Sequence, residues 1–543
     1  GYASDVTGGT ITVGNSGVGV YSQGGNVNLT GGTIATGTTE AVGVYTVGSG
    51  QTITNSGTAF NLGDTSVAIA NAGSGNIINS TVGTVNLGTG NIYIYSSDTA
   101  GKVNNSTNLT ATGGGNYGLY SAGTVTNTGN MDFGNGLGNV GIYSIGGGTA
   151  TNNGGVITIG GSNPSSNLYS IGMAAGYGTT DTGHVTNNGT INLSGANSTA
   201  MYAKSGIIKN TNDITVGDSS TGIYGTDNSQ ISNTGVITIG SDSTGMYYDD
   251  ARNSTVTTTG ITNNGTVRST GNNSVGMSYN HIGTNVTTFE NAGTIELTGD
   301  KNTGMYAAGD PGYNAKNSGT IKLGNSASLN NPNVALYTND TTNVTKLVNT
   351  GTIESGANTI GIFGNKSENS GNITVGDGGI AVYAQKGNVD LTGGTIKLGG
   401  NEAVGVYTVG DGQVITNSGT NFDIADTSYG FVNLNSGATG NTIISSNPNI
   451  TLGNDVVYIY SNDTNGTVNN SSNVTSTGDK DYVIYSAGNV TNNGNLNLSS
   501  GRGNVGIYSI KGGNAINNAT ISVGASDVSN NAYSIGMAAG YGT

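Results

Sequence analysis

A short segment, a small residue or glycine followed by an aliphatic residue and tyrosine, returns along the chain at near-regular spacing. Such a period decides the architecture before any local reading does. The segment is VGVYS at Val18 to Ser22, VGVYT at Val42 to Thr46, YGLYS at Tyr117 to Ser121 and VGIYS at Val140 to Ser144. It recurs as TGIYG at Thr221 to Gly225, TGMYY at Thr244 to Tyr248, TGMYA at Thr303 to Ala307, IGIFG at Ile360 to Gly364 and VGIYS at Val505 to Ser509. Anchored on the tyrosine or the residue replacing it, 21 positions run from Tyr21 to Tyr533, a mean spacing of about 25.6 residues. A second segment lies between successive copies, as in ITNSGT at Ile53 to Thr58, VTNNGTI at Val185 to Ile191 and FENAGTI at Phe289 to Ile295. A third short run follows it, such as ITVG at Ile11 to Gly14 or IKLG at Ile321 to Gly324.

Each unit therefore holds three brief β-type runs parted by Gly, Asn and Ser, with no helical periodicity. Strands this short, without a helical spacer, pair with the copies above and below. The expected fold is all-β, a right-handed parallel β-helix of about 21 coils of about 25 residues. Alternation along VGVYT points Val42 and Val44 to the core and Gly43 and Tyr45 outward. Only 8% of the residues are charged, in keeping with a narrow prism that has no room for ions.

Composition excludes several functions. Fifteen Lys and Arg against 30 Asp and Glu give a net charge of −15, the wrong sign for a nucleic-acid partner. The absence of cysteine removes disulfides, thiolate metal sites and a cysteine nucleophile. No apolar run is long enough for a membrane-spanning helix, so this segment is not expected to be membrane-embedded, and nothing calls for a cofactor or a metal.

A longer duplication is superimposed on the short repeat. GNVNLTGGTI at Gly25 to Ile34 returns as GNVDLTGGTI at Gly387 to Ile396, and YSIGMAAGYGT at Tyr169 to Thr179 returns at Tyr533 to Thr543. The chain reads as one continuous β-helix over 1–543, with a first superrepeat copy at 1–179, irregular central coils at 180–362 and a second copy at 363–543. It has the look of a slice of a longer array.

Three features are candidates for function. The asparagine of the second segment recurs at Asn55, Asn127, Asn153, Asn187, Asn233, Asn263, Asn291, Asn317, Asn349, Asn369, Asn417 and Asn492; stacked one per coil, these form a structural amide ladder. Outward tyrosines one strand apart make an aromatic stripe, which stiffens the coil or offers a track for glycans. The central coils carry the longest intervals between tyrosine positions, and insertions in a solenoid map to loops. Their extra segments bring Tyr248, Asp249, Asp250, Arg252, Tyr279, Asn280, His281, Asp310 and Tyr313 into a region poor in charge, a mixed cluster suited to ligand recognition.

Catalysis has little support. The two histidines, His184 and His281, stand nearly a hundred residues apart, and no protease, hydrolase, P-loop or calcium-loop motif occurs. Polysaccharide lyases and hydrolases do use β-helices, with clustered carboxylates. Asp249 and Asp250 are adjacent on a strand and so point to opposite faces.

The tyrosine and asparagine units, YSIGMAAGYGT above all, resemble the passenger repeats of the RadD-like family of very large fusobacterial type V autotransporter adhesins. The resemblance covers essentially the whole chain and rests on repeat style. It implies a β-helical passenger displayed at the bacterial cell surface and anchored in the outer membrane by a C-terminal translocator. It also implies attachment to host-cell receptors or glycans and to partner bacterial surfaces, with this segment acting as a monomeric rod. The alternative is a polysaccharide-degrading β-helix enzyme.

Overall fold

The computed structural model describes residues 4–176, 182–250, 260–281, 288–308, 314–340 and 345–541, with backbone alone at Asp250, His281 and Tyr541. Their regular secondary structure is almost entirely β-strand, and the helical elements among them are two short 3₁₀ turns, Pro164–Ser166 and Val528–Asn530. They fall into two compact units, one running to Ser269 and the other starting at Thr270.

Each unit is a parallel β-solenoid with turns of about 25 residues and three strands per turn. One turn contributes Val67–Asn71, Ile77–Ser80 and Thr84–Leu87, and the next contributes Ile92–Ser96, Lys102–Asn105 and Asn108–Ala111. Equivalent strands stack in register, Ile69 on Ile94, Ile78 on Val103 and Val85 on Leu109. Among the described residues, ten tyrosine-type strands belong to the first unit and eleven to the second.

The alternation expected along VGVYT holds at Val44 and Tyr45 and fails at Val42 and Gly43. Val44 and Thr46 are buried and Tyr45 lies outward and half-buried, but Gly43 is buried and Val42 only half-buried. The ladder pairs Val42 with Val67 and Val44 with Ile69, skipping Gly43. This local irregularity turns two successive residues inward. A Cβ on Gly43 would sit 2.7 Å from Phe60 Cε1 and 2.7 Å from the Ala68 carbonyl oxygen, so the glycine serves the close packing of the interior.

Two turns put tyrosine in this inward column, at Tyr93 and Tyr458, both fully buried. Small neighbours, Ala68 and Gly118 beside Tyr93 and Gly430 beside Tyr458, leave space for the rings. Tyr458 packs edge-on against Phe422 and Phe431, and Tyr93 edge-on against Phe60. The Tyr458 hydroxyl lies 2.7 Å from Ser445 Oγ, which in turn is 2.8 Å from Ser472 Oγ. Burial pushes the Tyr458 phenol up to about 12. Because Ser445 and Ser472 still bond to each other without it, Tyr458→Phe is expected to cost only about 1 kcal/mol in urea denaturation.

The interior is not free of acidic side chains. Asp98, Asp463 and Asp481 are buried at turn corners, each accepting hydrogen bonds from backbone N–H groups: Asp98 from Asn76 and Ala100, Asp463 from Asn441 and Asn465, and Asp481 from Val456. Those donors offset part of the hydration that a carboxyl group loses on burial.

Candidate functional site

The asparagine ladder exists and is continuous over long stretches. In the first unit Asn105 Nδ2 donates to Asn127 Oδ1 at 2.8 Å, and the chain of amides continues through Asn152, Asn187, Asn210, Asn233 and Asn263 at 2.8–3.1 Å. In the second unit it runs from Asn291 through Asn317 and Asn349 to Asn369 at 2.8 Å per step, and from Asn470 through Asn492 to Asn517 at 2.7 Å. Three expected members differ. Asn153 is exposed and lies one residue past the column, which Asn152 occupies. Asn55 and Asn417 are buried in the column but stack between Leu29 and Ser80 and between Leu391 and Ser445. With no amide beside them, they accept from the N–H of Thr58 and Thr420 and cap their own turns.

A second ladder at the corner before the tyrosine strand escaped the sequence reading. There a backbone N–H donates to a side-chain oxygen of the next turn: Ser66 to Asn91 at 2.9 Å, Asn91 to Asn116 at 2.8 Å, Asn116 to Asn139 at 2.9 Å. Serine takes the place of asparagine in the turns of Ser198, Ser220 and Ser243. The signal was the polar residue standing immediately before most tyrosine strands, as in GNYGLY and GNVGIY.

The outward tyrosines form turn-on-turn runs of neighbouring rings, some stacked face to face and others tilted or edge-on. Tyr95 to Tyr120 is 5.4 Å between ring centroids and Tyr120 to Tyr143 is 5.2 Å; Tyr202, Tyr224 and Tyr247 continue at 5.4 and 5.1 Å. In the second unit Tyr306, Tyr337, Phe363, Tyr383 and Tyr407 are spaced 4.8–5.3 Å, and Tyr460, Tyr485 and Tyr508 at 5.4 and 5.2 Å. Tyr169 and Tyr533 are not rungs, contrary to the anchoring of the repeat. The rungs in those turns are Ala174, between Tyr143 and Tyr202, and Ala538, after Tyr508.

Tyr169 instead ends an insertion over the tyrosine sheet. Asn163 and Leu168 form an isolated antiparallel bridge around the Pro164–Ser166 turn, with Asn167 left-handed at φ 55°. A cavity of about 350 Å³ opens beneath this loop, lined by Tyr117, Tyr143 and Tyr202 on its walls, Val140, Ile171 and Ala174 below, and Asn167, Leu168 and Tyr169 from the loop. A wider recess of about 700 Å³ adjoins it, sharing Gly115 and Leu168.

The central cluster takes a different form from the one expected. Tyr248 and Tyr279 are fully buried; Tyr248 donates to the Asp227 carbonyl oxygen and Tyr279 stacks on Phe289 at 5.4 Å. They lie on lengthened strands, Thr244–Asp250 and Val275–His281, where the residue after the outward position turns inward again. Neither is available to a ligand. Asp249 and Asn280 are half-buried and pair with Thr226 and Ala308. Asp250 and His281 end those strands, while Arg252, Asp310 and Tyr313 lie outside the described residues. The nine positions are divided between the two units. His184 is engaged structurally, its Nδ1 accepting the Ile207 N–H at 3.2 Å. Among the described residues no group of three or more acidic, histidine or cysteine side chains is placed to hold a metal, and no helix is long and apolar enough to cross a membrane.

Residues 133–221 match a family model described as the BigA third pectate lyase-like domain, from a family of bacterial surface proteins. No curated protein and no solved structure matches the chain. The matched stretch includes the Asn163–Leu168 loop, Ala174 and Tyr202. With the β-solenoid fold, the match points to a bacterial surface protein.

Proposed function

We propose that the chain is a passenger segment of an autotransporter adhesin. It would be held at the outer membrane by a translocator barrel and would attach to host-cell receptors or glycans and to partner bacteria. The observation that carries this reading is the match at residues 133–221 on a solenoid whose outward face presents stacked tyrosines. Repetition along such a face suits many weak contacts acting together. The resemblance of the repeats to fusobacterial passengers supports the same reading, as does the scarcity of ionisable groups for chemistry.

Latex beads coated with the chain should adhere to epithelial cells and to partner bacteria several-fold more than beads coated with the heat-denatured chain. Equal adherence of the two would end the adhesin reading. The name of the matched family keeps a lyase in view as a second reading. Incubation with polygalacturonate is expected to yield no unsaturated, ultraviolet-absorbing products, and their appearance would establish catalysis.

A further inference from the structure

We propose that the cavity beneath the loop of Leu329 and Pro332, in the second unit, is a groove for a proline-rich peptide in the polyproline II form, with an acidic residue just beyond its proline run. A groove of this kind supplies the adhesin reading with a partner class and rests on that reading for its biological purpose.

The cavity measures about 420 Å³. Tyr337, Phe363 and Tyr383 line it from the sheet, Leu329 and Pro332 from the loop, and Thr303 and Gln385 at its two ends. These residues come from four successive turns, so the cavity runs along the stack for three strand spacings, roughly 14 Å. That length fits a chain rather than a single ring. The three rings are half-buried and stand 5.3 and 4.8 Å apart between centroids. Leu329, at the loop tip, is 41% exposed.

The spacing of the rings selects the conformation. Tyr337 and Tyr383 are two strand spacings apart, roughly 9.6 Å. Polyproline II has three residues per turn and rises about 3.1 Å per residue, which puts every third proline on one face roughly 9.3 Å apart. Phe363, between the two tyrosines, is the ladder's one phenylalanine among the described residues. The centre of the groove thus lacks the hydroxyl of its neighbours, which suits pyrrolidine rings better than the hydroxyls of a sugar. Aromatic-lined grooves are a general way to hold such segments. Polyproline II makes no internal hydrogen bonds, and the phenols of Tyr337 and Tyr383 and the amides of Asn330 and Gln385 offer donors for its carbonyls.

The loop is fixed in advance. Asn333 donates its backbone N–H to Ser326 Oγ at 2.7 Å and its Nδ2 to the carbonyls of Gly299 and Gly324 at 2.9 and 3.0 Å. Its Oδ1 accepts the Asn302 N–H at 2.7 Å, and the Ser326 N–H donates to the Ala357 carbonyl at 2.9 Å. The base of the loop is therefore pinned to the turns on both sides, and little ordering remains to oppose binding.

Charge sets the flank of the peptide. The lining itself has no ionisable acid or base other than the phenols. Between Asp300 and Lys397 seven lysines balance seven acidic residues, within a chain of −15. Lys386 directly follows Gln385, and Lys366 stands near the same corner one turn earlier. Both are exposed, and neither forms an ion pair among the described residues. An acidic residue beyond the proline run meets positive charge at the Gln385 end.

The test is fluorescence polarisation on the whole chain with three labelled peptides: decaproline flanked by glutamate pairs, decaproline flanked by lysine pairs, and a Gly-Ser peptide flanked by glutamate pairs. The glutamate-flanked decaproline should bind several-fold more tightly than the lysine-flanked one, with the difference fading at high salt, and the Gly-Ser peptide should not bind. Leu329→Asp should weaken binding about tenfold with an unchanged melting temperature, Tyr383→Ala should weaken it similarly, and Lys386→Glu should invert the order of the two proline peptides. The groove is overturned if decaproline binds no better than the Gly-Ser peptide, if neutral disaccharides displace it, if Leu329→Asp binds as the parent does, or if Lys386→Glu leaves the order unchanged. Bead adherence separates the two readings. A parent chain that binds the peptide but not cells sinks the adhesin reading alone, and a parent that adheres to cells but binds no proline peptide sinks the groove alone.

Discussion

Asn187→Ala should lower the unfolding free energy of its neighbourhood by about 3–5 kcal/mol, a large effect for one polar side chain. Asn187 Nδ2 donates to the Gly189 carbonyl at 2.7 Å and to Asn210 Oδ1 at 2.9 Å, while its Oδ1 accepts from Asn152 Nδ2 at 3.0 Å and from the Gly189 N–H at 3.2 Å. Alanine supplies none of these. The residue is fully buried, so water does not take its place, and each orphaned group costs about 1–3 kcal/mol. Asn152 retains its bond to the Gly155 carbonyl at 2.7 Å, which holds the total below a simple sum. Turns of a solenoid touch only their neighbours, so accelerated amide exchange should be confined to the turns around Asn152, Asn187 and Asn210. The comparison variant is Asn153→Ala. That residue is exposed and off the column, and its loss should stay within about 0.5 kcal/mol. Equal effects of the two substitutions would show that the ladder contributes nothing.

The fold was legible because its constraint is periodic. A strand repeated every two dozen residues has one economical arrangement, and the Val-Thr-Asn and Gly-Ile-Tyr segments gave three strands per turn directly. Side-chain direction was less legible. In-and-out alternation assumes a regular pleat, whereas the ladder skips the second residue of each tyrosine strand, so Gly43 and Tyr93 point inward against expectation. A different assumption, that the extra residues of the long intervals form loops, misjudged Tyr248 and Tyr279. Polar neighbours suggested a surface cluster, but the strands run on past the outward tyrosine position and return these rings to the core. The Ala174 rung was hidden by a tyrosine. Tyr169 lies close enough to the expected rung to pass for it, and the loop that displaces it is legible only once Ala174 is seen paired with Tyr143 and Tyr202. Misplacing that rung turned an interruption of the ladder into a long interval between tyrosines.

Asp481→Asn should stabilise the second unit by about 3 kcal/mol at pH 7 and by almost nothing below pH 4. Asp481 occupies the corner ladder where the first superrepeat copy has Asn116. Its Oδ1 accepts the Val456 N–H at 2.9 Å, its Oδ2 accepts the Ser476 hydroxyl at 2.5 Å, and its own N–H donates to Asn504 Oδ1 at 2.8 Å. Burial dominates over those hydrogen bonds and pushes the carboxyl up to about 6 from 3.8. The folded state thus holds the proton more tightly than the unfolded chain. Below pH 4 both states are protonated and the group has no net effect. Between about pH 4 and pH 6 the unfolded chain ionises first, and stability falls by about 1.4 kcal/mol per pH unit. Above pH 6 both are ionised and the penalty is constant, the two-unit shift amounting to about 3 kcal/mol. Asparagine keeps an acceptor for Val456 and carries no charge, as Asn116 does when it accepts the Asn91 N–H. The measurement is urea denaturation of parent and variant from pH 3.5 to pH 8, read as the difference between them so that other carboxylates cancel. A difference that stays flat across pH 4–6, or that favours the parent at pH 7, would mean that the Val456 and Ser476 hydrogen bonds outweigh the cost of burying the charge.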